Sequence, residues 1–332
     1  MKRFLKNILL IIGIPFVIIF TLYWITDPFK INKPFSLTNF SAVNREYLSF
    51  ELFLKQNPKY HYNSFVFGSS RGCGINTYTW KYLLNKTTTQ KDTISQFLFQ
   101  AWGETINGIN QKINYLDKNN IPINNALVLV DVGFFKKDAN TALGIKHYNL
   151  SGHSKLYYQT LFIQAYMGRP SEIVCSIKSS FNHSSDYIGF DTISNDWVKG
   201  NKYDFIEKPT QDSTLNKSKF GKRLLEEQFS KKEITSKYLV ILKDIKHIFD
   251  KHRTRYKIIV TPTYDQIRIN NEDLDVLEEI FGKNNMYNFS GKNHLTEDKY
   301  NFTDVNHFDL NVGWIILNEI YAHDIDSLGI MK

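Results

Sequence analysis

The amino-acid sequence predicts an α/β protein: a doubly wound parallel sheet of about five strands between helical layers, in the manner of an α/β/α sandwich, behind one N-terminal transmembrane helix. Three observations carry this. Residues 8–25 form an almost unbroken apolar run behind a basic flank of Lys2, Arg3 and Lys6. Short apolar runs at 65–67, 126–132 and 257–261 have the composition of parallel strands buried on both faces. Between them apolar residues recur at helical spacing, and strand–helix alternation of this kind builds a parallel sheet covered by helices.

Taken in order, the 18 residues of the first run span roughly 27 Å as a helix, close to the thickness of a bilayer core. The basic flank predicts a cytoplasmic N-terminus, with the rest of the chain outside. A cleavable signal has a shorter apolar core followed by small residues. Here Tyr23, Trp24, Asp27, Pro28 and Phe29 follow, so 1–26 is expected to stay as a signal-anchor. Residues 27–59 read as a juxtamembrane linker with Pro28 and Pro34, then a short amphipathic helix at 45–56.

The main domain is expected over 60–330. Its first strand, 63–68, is followed by a helix at 79–84, a strand at 94–99 and a helix at 104–118 with Ile106, Ile109, Ile113 and Leu116 on one face. After the strand at 126–132, a helix at 234–252 places Tyr238, Leu242, Ile245 and Phe249 on one side. A strand at 257–261 stopped by Pro262, a short last strand at 286–289 and a closing helix at 312–321 complete the pattern. Residues 136–230 break the rhythm. They are rich in Ser, Asn, Tyr and Lys, with one helix at 156–167 and no strong strand, which predicts an insertion over the sheet edge that shapes substrate access. The cluster Lys217, Lys219, Lys222 and Arg223 reads as a solvated face in preference to an anion-binding patch.

Composition narrows the function. A chain of 332 residues with 42% hydrophobic content has the means to bury a sizeable core. The net charge of +8 suits an anionic polymer or a membrane surface. No zinc-ligand cysteine pattern, helix-turn-helix or RNA-binding aromatic motif accompanies it, so nucleic acid is not the expected partner. The spacing of Cys73 and Cys175 leaves their pairing open.

Two stretches carry chemistry. Residues 63–72 read as a buried strand running through Gly68 into Ser69 and Ser70, which a tight turn would present at the carboxyl edge of the sheet, where open parallel sheets bind ligands. Backbone N–H groups at such a turn can stabilise an oxyanion. The stretch also fits Gly-x-Ser-x-Gly, the nucleophile elbow of α/β-hydrolases, but several strands precede the elbow in that fold and only one does here. The second stretch sets Asp304 three residues before His307, a spacing that lays a carboxylate beside an imidazole and fixes its tautomer for general-base work. Asp-x-x-His is a short pattern, and its recurrence at Asp244 and His247 falls inside a periodic helix, where it reads as helix surface. The bland alternative for both stretches is a loop serine and a surface histidine.

An early serine with a C-terminal Asp-x-x-His pair resembles the SGNH (GDSL-type) hydrolase superfamily. Within it, the chain is similar to the membrane-anchored branch that includes the D-alanyl transfer protein of teichoic acid modification and the SGNH proteins of alginate acetylation, where Gly-Ser-Ser often replaces Gly-Asp-Ser. The resemblance implies Ser70 as nucleophile, with its own backbone N–H in the oxyanion hole, His307 as base and Asp304 as its orienting partner. It implies Gly103, in Ala101-Trp102-Gly103-Glu104, as a second oxyanion donor. The family's Gly-x-Asn-Asp block would fall at 131–135, where no Asn stands, leaving Asn107 and Asn140 as candidate third donors. Losing one such donor elsewhere costs about 2.7–4 kcal/mol of transition-state stabilisation.

The implied function is a membrane-anchored extracytoplasmic serine esterase or O-acyltransferase acting on acyl esters of a cell-envelope glycan or anionic polymer. An integral membrane acyl-donor partner is compatible with it, and neither metal nor organic cofactor is required. The alternative is a degenerate, non-catalytic member that binds polymer or scaffolds an envelope export or modification complex. Arg71 either orients an anionic substrate group or anchors the turn, the second being preferred. Trp80 and Trp102 read as core or rim aromatics before sugar-stacking platforms.

Overall fold

The apolar strands align into one parallel sheet in a computed structural model that describes residues 2–27, 29, 31–32, 44–87, 93–135, 146–168, 189–198, 220, 223 and 226–327. The strands are β1 (Ser64–Gly68), β2 (Gln96–Gln100), β3 (Asn125–Val130), β4 (Arg255–Val260) and β5 (Met286–Asn288), in the spatial order β2-β1-β3-β4-β5 with every neighbouring pair parallel. The order reverses between β1 and β3. That switch point leaves a crevice beyond the carboxyl ends of the strands, and Ser69 follows β1 there.

Helices cover both faces because successive strand residues point to opposite sides. Phe65, Phe67, Val128 and Val130 face a core shared with α3 (Arg45–Tyr60), α5 (Ile106–Lys118), α7 (Ser236–His252) and α8 (Asn271–Phe281). Val66, Leu127 and Leu129 face a second core built by α4 (Thr77–Thr87) and α9 (Leu310–Ser327). The remaining longer helices are α1 (Lys2–Ile8), α2 (Ile14–Thr26) and α6 (Lys155–Met167), and four-residue helices stand at Tyr148–Ser151 and His294–Glu297 among the described residues. Helix α3 begins where the amphipathic pattern does but runs on to Tyr60, and it buries Phe50, Leu52 and Phe53 at zero exposure in the first core, so it is a layer of the sandwich.

Helix α1, a π-helical turn at Leu9–Gly13 and α2 run on continuously, and Leu9–Thr26 is long and apolar enough to cross a membrane. A core helix of that composition would be buried, whereas only 6% of this stretch is.

Within the insertion, residues 189–198 cover the outer edge of β2. The Leu98 backbone N–H donates to the Ser194 carbonyl at 2.8 Å, and the Asn195 side-chain amide donates to the Leu98 carbonyl at 2.6 Å. An uncovered edge strand would offer these groups to another chain. Asn195 is itself held by Arg45, a fully buried guanidinium that donates to Gln100 at 3.2 Å and stacks over Phe190 with 3.5 Å to the ring centroid. The two-residue strands Gly189–Phe190 and Trp197–Val198 close this cover as an antiparallel pair. Lys217, Lys219, Lys222, Asn140 and Cys175 lie outside the described residues. Arg223 donates to the Glu297 carbonyl at 2.8 Å and packs over the Tyr264 ring.

Candidate active site

The turn that carries Ser70 is set by packing at β1. Gly68 does not have a positive φ, so the left-handed freedom expected of it is not used; a Cβ there would lie 2.9 Å from the Leu129 side chain. The chain leaves β1 at Ser69 and enters a 3-10 turn over Ser70–Gly74. The Ser69 hydroxyl accepts from the Arg71 backbone N–H at 3.2 Å and donates to Asp131 Oδ2, so the residue before the candidate nucleophile is a fixed cap and Ser70 is the serine left free for chemistry.

From the other end of the chain, the loop before α9 brings in His307. Its Nε2 lies 2.8 Å from Ser70 Oγ, and its Nδ1 lies 2.8 Å from Asp304 Oδ2. Asp304 is itself organised by two backbone donors, Asn306 N–H at 2.7 Å and His307 N–H at 3.1 Å. Burial pushes the Asp304 carboxyl up, but the hydrogen bond from His307 and these backbone donors outweigh it and hold it below the usual carboxylate range. An ionised Asp304 accepts the Nδ1 proton, which leaves Nε2 as the acceptor facing Ser70.

Two close approaches keep the turn and the loop in register. Arg71 Nε donates to the Asn306 carbonyl at 2.8 Å, and its Nη1 pairs with Asp131 Oδ1 at 3.2 Å. Arg71 thus takes the anchoring role, and Asp131, at the end of β3, receives Ser69, Arg71 and the Thr261 hydroxyl at 2.7 Å. Below this, Gly313 of α9 rests on the Gly74 backbone so closely that a Cβ on Gly313 would stand 1.7 Å from the Gly74 carbonyl oxygen. Gly→Ala in an ordinary helix interior gains up to about 1 kcal/mol. Here Gly313→Ala is expected to cost about 1–3 kcal/mol through overpacking and to part His307 from Ser70. Urea unfolding of the detergent-solubilised chain checks the first half, and covalent labelling of Ser70 by a serine-directed probe in the same variant checks the second.

The cleft over these residues has a volume of about 330 Å³ and is lined by Ser69, Ser70, Arg71, Gly103, Glu104, Asp131–Phe134, Asn306 and His307. Gly103 and Gly133 both have positive φ, at 69° and 84°, and no atom lies within 4 Å of a Cβ on either, so these glycines serve the backbone turns at the rim. Gly103 therefore sits on the same cleft as Ser70. Asn107 is half-buried on α5 and does not line the cleft. The 131–135 segment contributes the Asp131 anchor and Gly133 in place of an asparagine.

Sequence reasoning missed an ionic cluster under the Gly103 loop. Lys112 of α5 is fully buried, pairs with Glu46 of α3 at 3.0 Å and donates to Glu104 Oε2, while Glu104 Oε1 accepts from Thr105 N–H at 3.0 Å. A signal existed: Lys112 stands three residues after Ile109 and next to Ile113, on the apolar stripe of its helix. Burial and the nearby Glu104 push the Glu46 carboxyl up to about 7, although Lys112 and Lys146 pull it down. Burial pulls the Lys112 ammonium down, but Glu104 and Glu46 outweigh it and the lysine holds its proton more firmly than usual. The Lys112 ammonium thus lies within reach of two carboxylates, and burial beside Glu104 favours the neutral form of Glu46.

Other sequence readings find their places. Trp80 is fully buried and donates from Nε1 to the Tyr321 hydroxyl at 2.8 Å, a core role, and Trp102 is half-buried. His247 is exposed on α7, and Asp244 accepts from Asn114 at 2.8 Å. Cys73 is a buried free thiol, which burial pushes above its usual range. Among the described residues no group of three or more His, Cys, Asp or Glu side chains is arranged to hold a metal. A scan against protein-family models and a search of the curated proteins each found no match for this chain.

Proposed function

We propose that this chain is a serine acyl-ester hydrolase or O-acyltransferase of the SGNH type, anchored in the membrane and acting outside the cytoplasm on acyl esters of a cell-envelope glycan or anionic polymer. The observation that carries the reading is the hydrogen-bonded line from Asp304 through His307 to Ser70 Oγ, at the carboxyl edge of a parallel sheet. Ser70 Oγ attacks the ester carbonyl while His307 Nε2 takes its proton, and the tetrahedral intermediate draws on the Ser70 and Gly103 backbone amides. The C–O bond to the leaving alkoxide then breaks, His307 returns the proton to that oxygen, and the acyl group remains on Ser70. Water or a sugar hydroxyl attacks this acyl-enzyme, gives its proton to His307, and Ser70 Oγ leaves and takes it back.

A fluorophosphonate probe tests this. The wild-type chain is expected to be labelled on Ser70, Ser70→Ala and His307→Ala to lose the label, and Ser69→Ala and His247→Ala to retain it. A folded chain that takes no label would support the non-catalytic polymer-binding reading instead.

The choice between hydrolysis and transfer rests on water. The Asp304 and His307 side chains are 48% and 31% exposed, so in isolation the acyl-enzyme meets solvent and hydrolysis is the expected outcome. Transfer needs an acceptor hydroxyl held close enough to win. The basic flank at Lys2, Arg3 and Lys6 supports a cytoplasmic N-terminus. Protease added to spheroplasts should therefore digest the main domain, and full protection of that domain would reverse the orientation.

A further inference from the structure

Helix α6 (Lys155–Met167) is an anomaly on the surface of this domain. Its inner face buries Tyr158, Phe162 and Tyr166, spaced four apart, against the outer end of α2 and the start of α3. The ring centroids of Tyr166 and Tyr23 are 5.3 Å apart, those of Phe162 and Phe29 5.2 Å, and those of Phe162 and Tyr47 5.5 Å. Its outer face should then be polar, as on α7, where Lys237, Lys243, His247 and Lys251 are exposed. It is largely apolar: Leu156, Tyr157 and Met167 are 72%, 46% and 43% exposed, Gln164 is the one exposed amide among them, and Lys155 in the first turn is the helix's one charge. The hydroxyl of Thr160, also on that face, is already spent on the Tyr157 carbonyl at 2.6 Å.

What covers this face follows from its neighbour. Tyr23 lies in the last turn of the apolar stretch Leu9–Thr26, beside Trp24, which is 38% exposed. If that stretch spans a bilayer, Tyr23 and Trp24 stand at the membrane–water boundary, where such aromatics gather, and α6 is packed on Tyr23 at the same level. The exposed apolar residues of α6 then belong to a helix held against the end of the span. Thirteen residues make a helix about 20 Å long, too short to cross a hydrocarbon core of about 30 Å. Too short to cross and packed on the last turn of the span, α6 has its place at the interface.

We propose that α6 is an interfacial helix, with Leu156, Tyr157 and Met167 set among lipid headgroups and the upper acyl chains. The same aromatic cluster contains Tyr47 and Leu48 of α3, next to Arg45 and Glu46, which reach Gln100 at the carboxyl end of β2 and the Lys112 that holds Glu104. An interfacial α6 therefore sets the carboxyl edge of the sheet, with the candidate cleft, beside the bilayer.

The test uses the full chain reconstituted in phosphatidylcholine–phosphatidylglycerol vesicles, with Cys175 replaced by Ser and Cys73 left buried. An environment-sensitive fluorophore is placed on Leu156→Cys, Tyr157→Cys and Met167→Cys, and on Val240→Cys of α7 as the water-exposed control. The α6 probes are expected to emit at shorter wavelength than the control, to resist aqueous iodide, and to be quenched severalfold more by lipids carrying a nitroxide near the glycerol end of the acyl chain. Iodide access equal to the control would overturn the proposal. Shielding from iodide without nitroxide quenching would overturn it too, since that face would then be covered by protein. A measurement on the unaltered chain guards against misfolded variants: a diazirine-bearing phospholipid should cross-link to the peptide holding residues 155–167, and no adduct there would also count against an interfacial helix.

Discussion

His307→Ala is expected to lower kcat for cleavage of an activated ester by about 10⁴–10⁶-fold, Ser70→Ala to lower it as far, and the double variant to fall no further, because the two act as one unit. The geometry gives the reason. With Nε2 2.8 Å from Ser70 Oγ, the imidazole is the group placed to take the nucleophile's proton, and no other titratable side chain is hydrogen-bonded to that oxygen among the described residues. Asp304→Asn keeps the shape but offers an amide to Nδ1, which favours the wrong tautomer, and should cost about 10⁴-fold. That variant carries a second signature. A carboxyl whose folded pKa is depressed stabilises the fold above the ordinary carboxylate range and loses this as pH falls through the folded value. The stability gap between wild type and Asp304→Asn should therefore narrow towards acid; a gap constant with pH would contradict the lowered Asp304. Steady-state kinetics decide the larger point: a His307→Ala rate within tenfold of wild type would remove the triad.

Lys112→Met is expected to be the most damaging single change away from the cleft, at about 3–5 kcal/mol, because it strands Glu46 and Glu104 in a buried site with their shared ammonium gone. Glu46→Gln should be mild, since burial and the nearby Glu104 push this carboxyl up to about 7 and so favour its neutral form. The sign of the pH effect separates the two. A carboxyl with a raised folded pKa contributes stability fully present below its ordinary range and lost as pH rises through the folded value, so between pH 5 and 8 Glu46 weakens the wild type and Gln at this position does not. The Lys112→Met deficit should grow over the same interval, because protonation is the remaining relief for the two carboxylates. Thermal unfolding of the detergent-solubilised chain at both pH values measures this. A Lys112→Met variant as stable as wild type at pH 8 would mean the cluster is open to water. Since Glu104 lines the cleft beside Gly103, the same variant should also lose ester-cleaving activity at temperatures where it remains folded.

What the sequence determined by itself was whatever depends on backbone period. The apolar runs at 65–67 and 126–132 carry no alternation, so they had to lie in strands covered on both faces, and 65–67 and 126–130 do, while Asp131 and Val132 leave the strand half-buried at the cleft. Helix α5 was legible from Ile106, Ile109, Ile113 and Leu116, and the apolar N-terminal helix from its unbroken run. Ser70 at a strand end, and Asp304 next to His307, were legible because each is a local relation of three or four residues. Boundaries were less so: α3 runs on to Tyr60 and α9 from Leu310 to Ser327, beyond the periodic stretches, because tertiary packing stabilises turns that propensity alone leaves open.

Only the tertiary structure decided which distant groups meet. Ser70 and His307 are 237 positions apart, and whether they touch depends on strand order, on Arg71 reaching the Asn306 carbonyl, and on Gly74 meeting Gly313 without a side chain between them. Asp131 was expected inside a motif it does not complete and emerged as the anchor of the Ser69–Arg71 turn, a role set by its place at the end of β3. The burial of Arg45 was likewise unreadable and that of Lys112 was signalled only by its place on the apolar stripe of α5, because a charged side chain joins a core only when its counter-charges or acceptors arrive from other elements, Glu46 from α3 and Asn195 from the insertion. Pattern sets what each segment becomes, and long-range register sets the partners of its polar groups, so the cleft and its ionic support became visible only once the sheet was assembled.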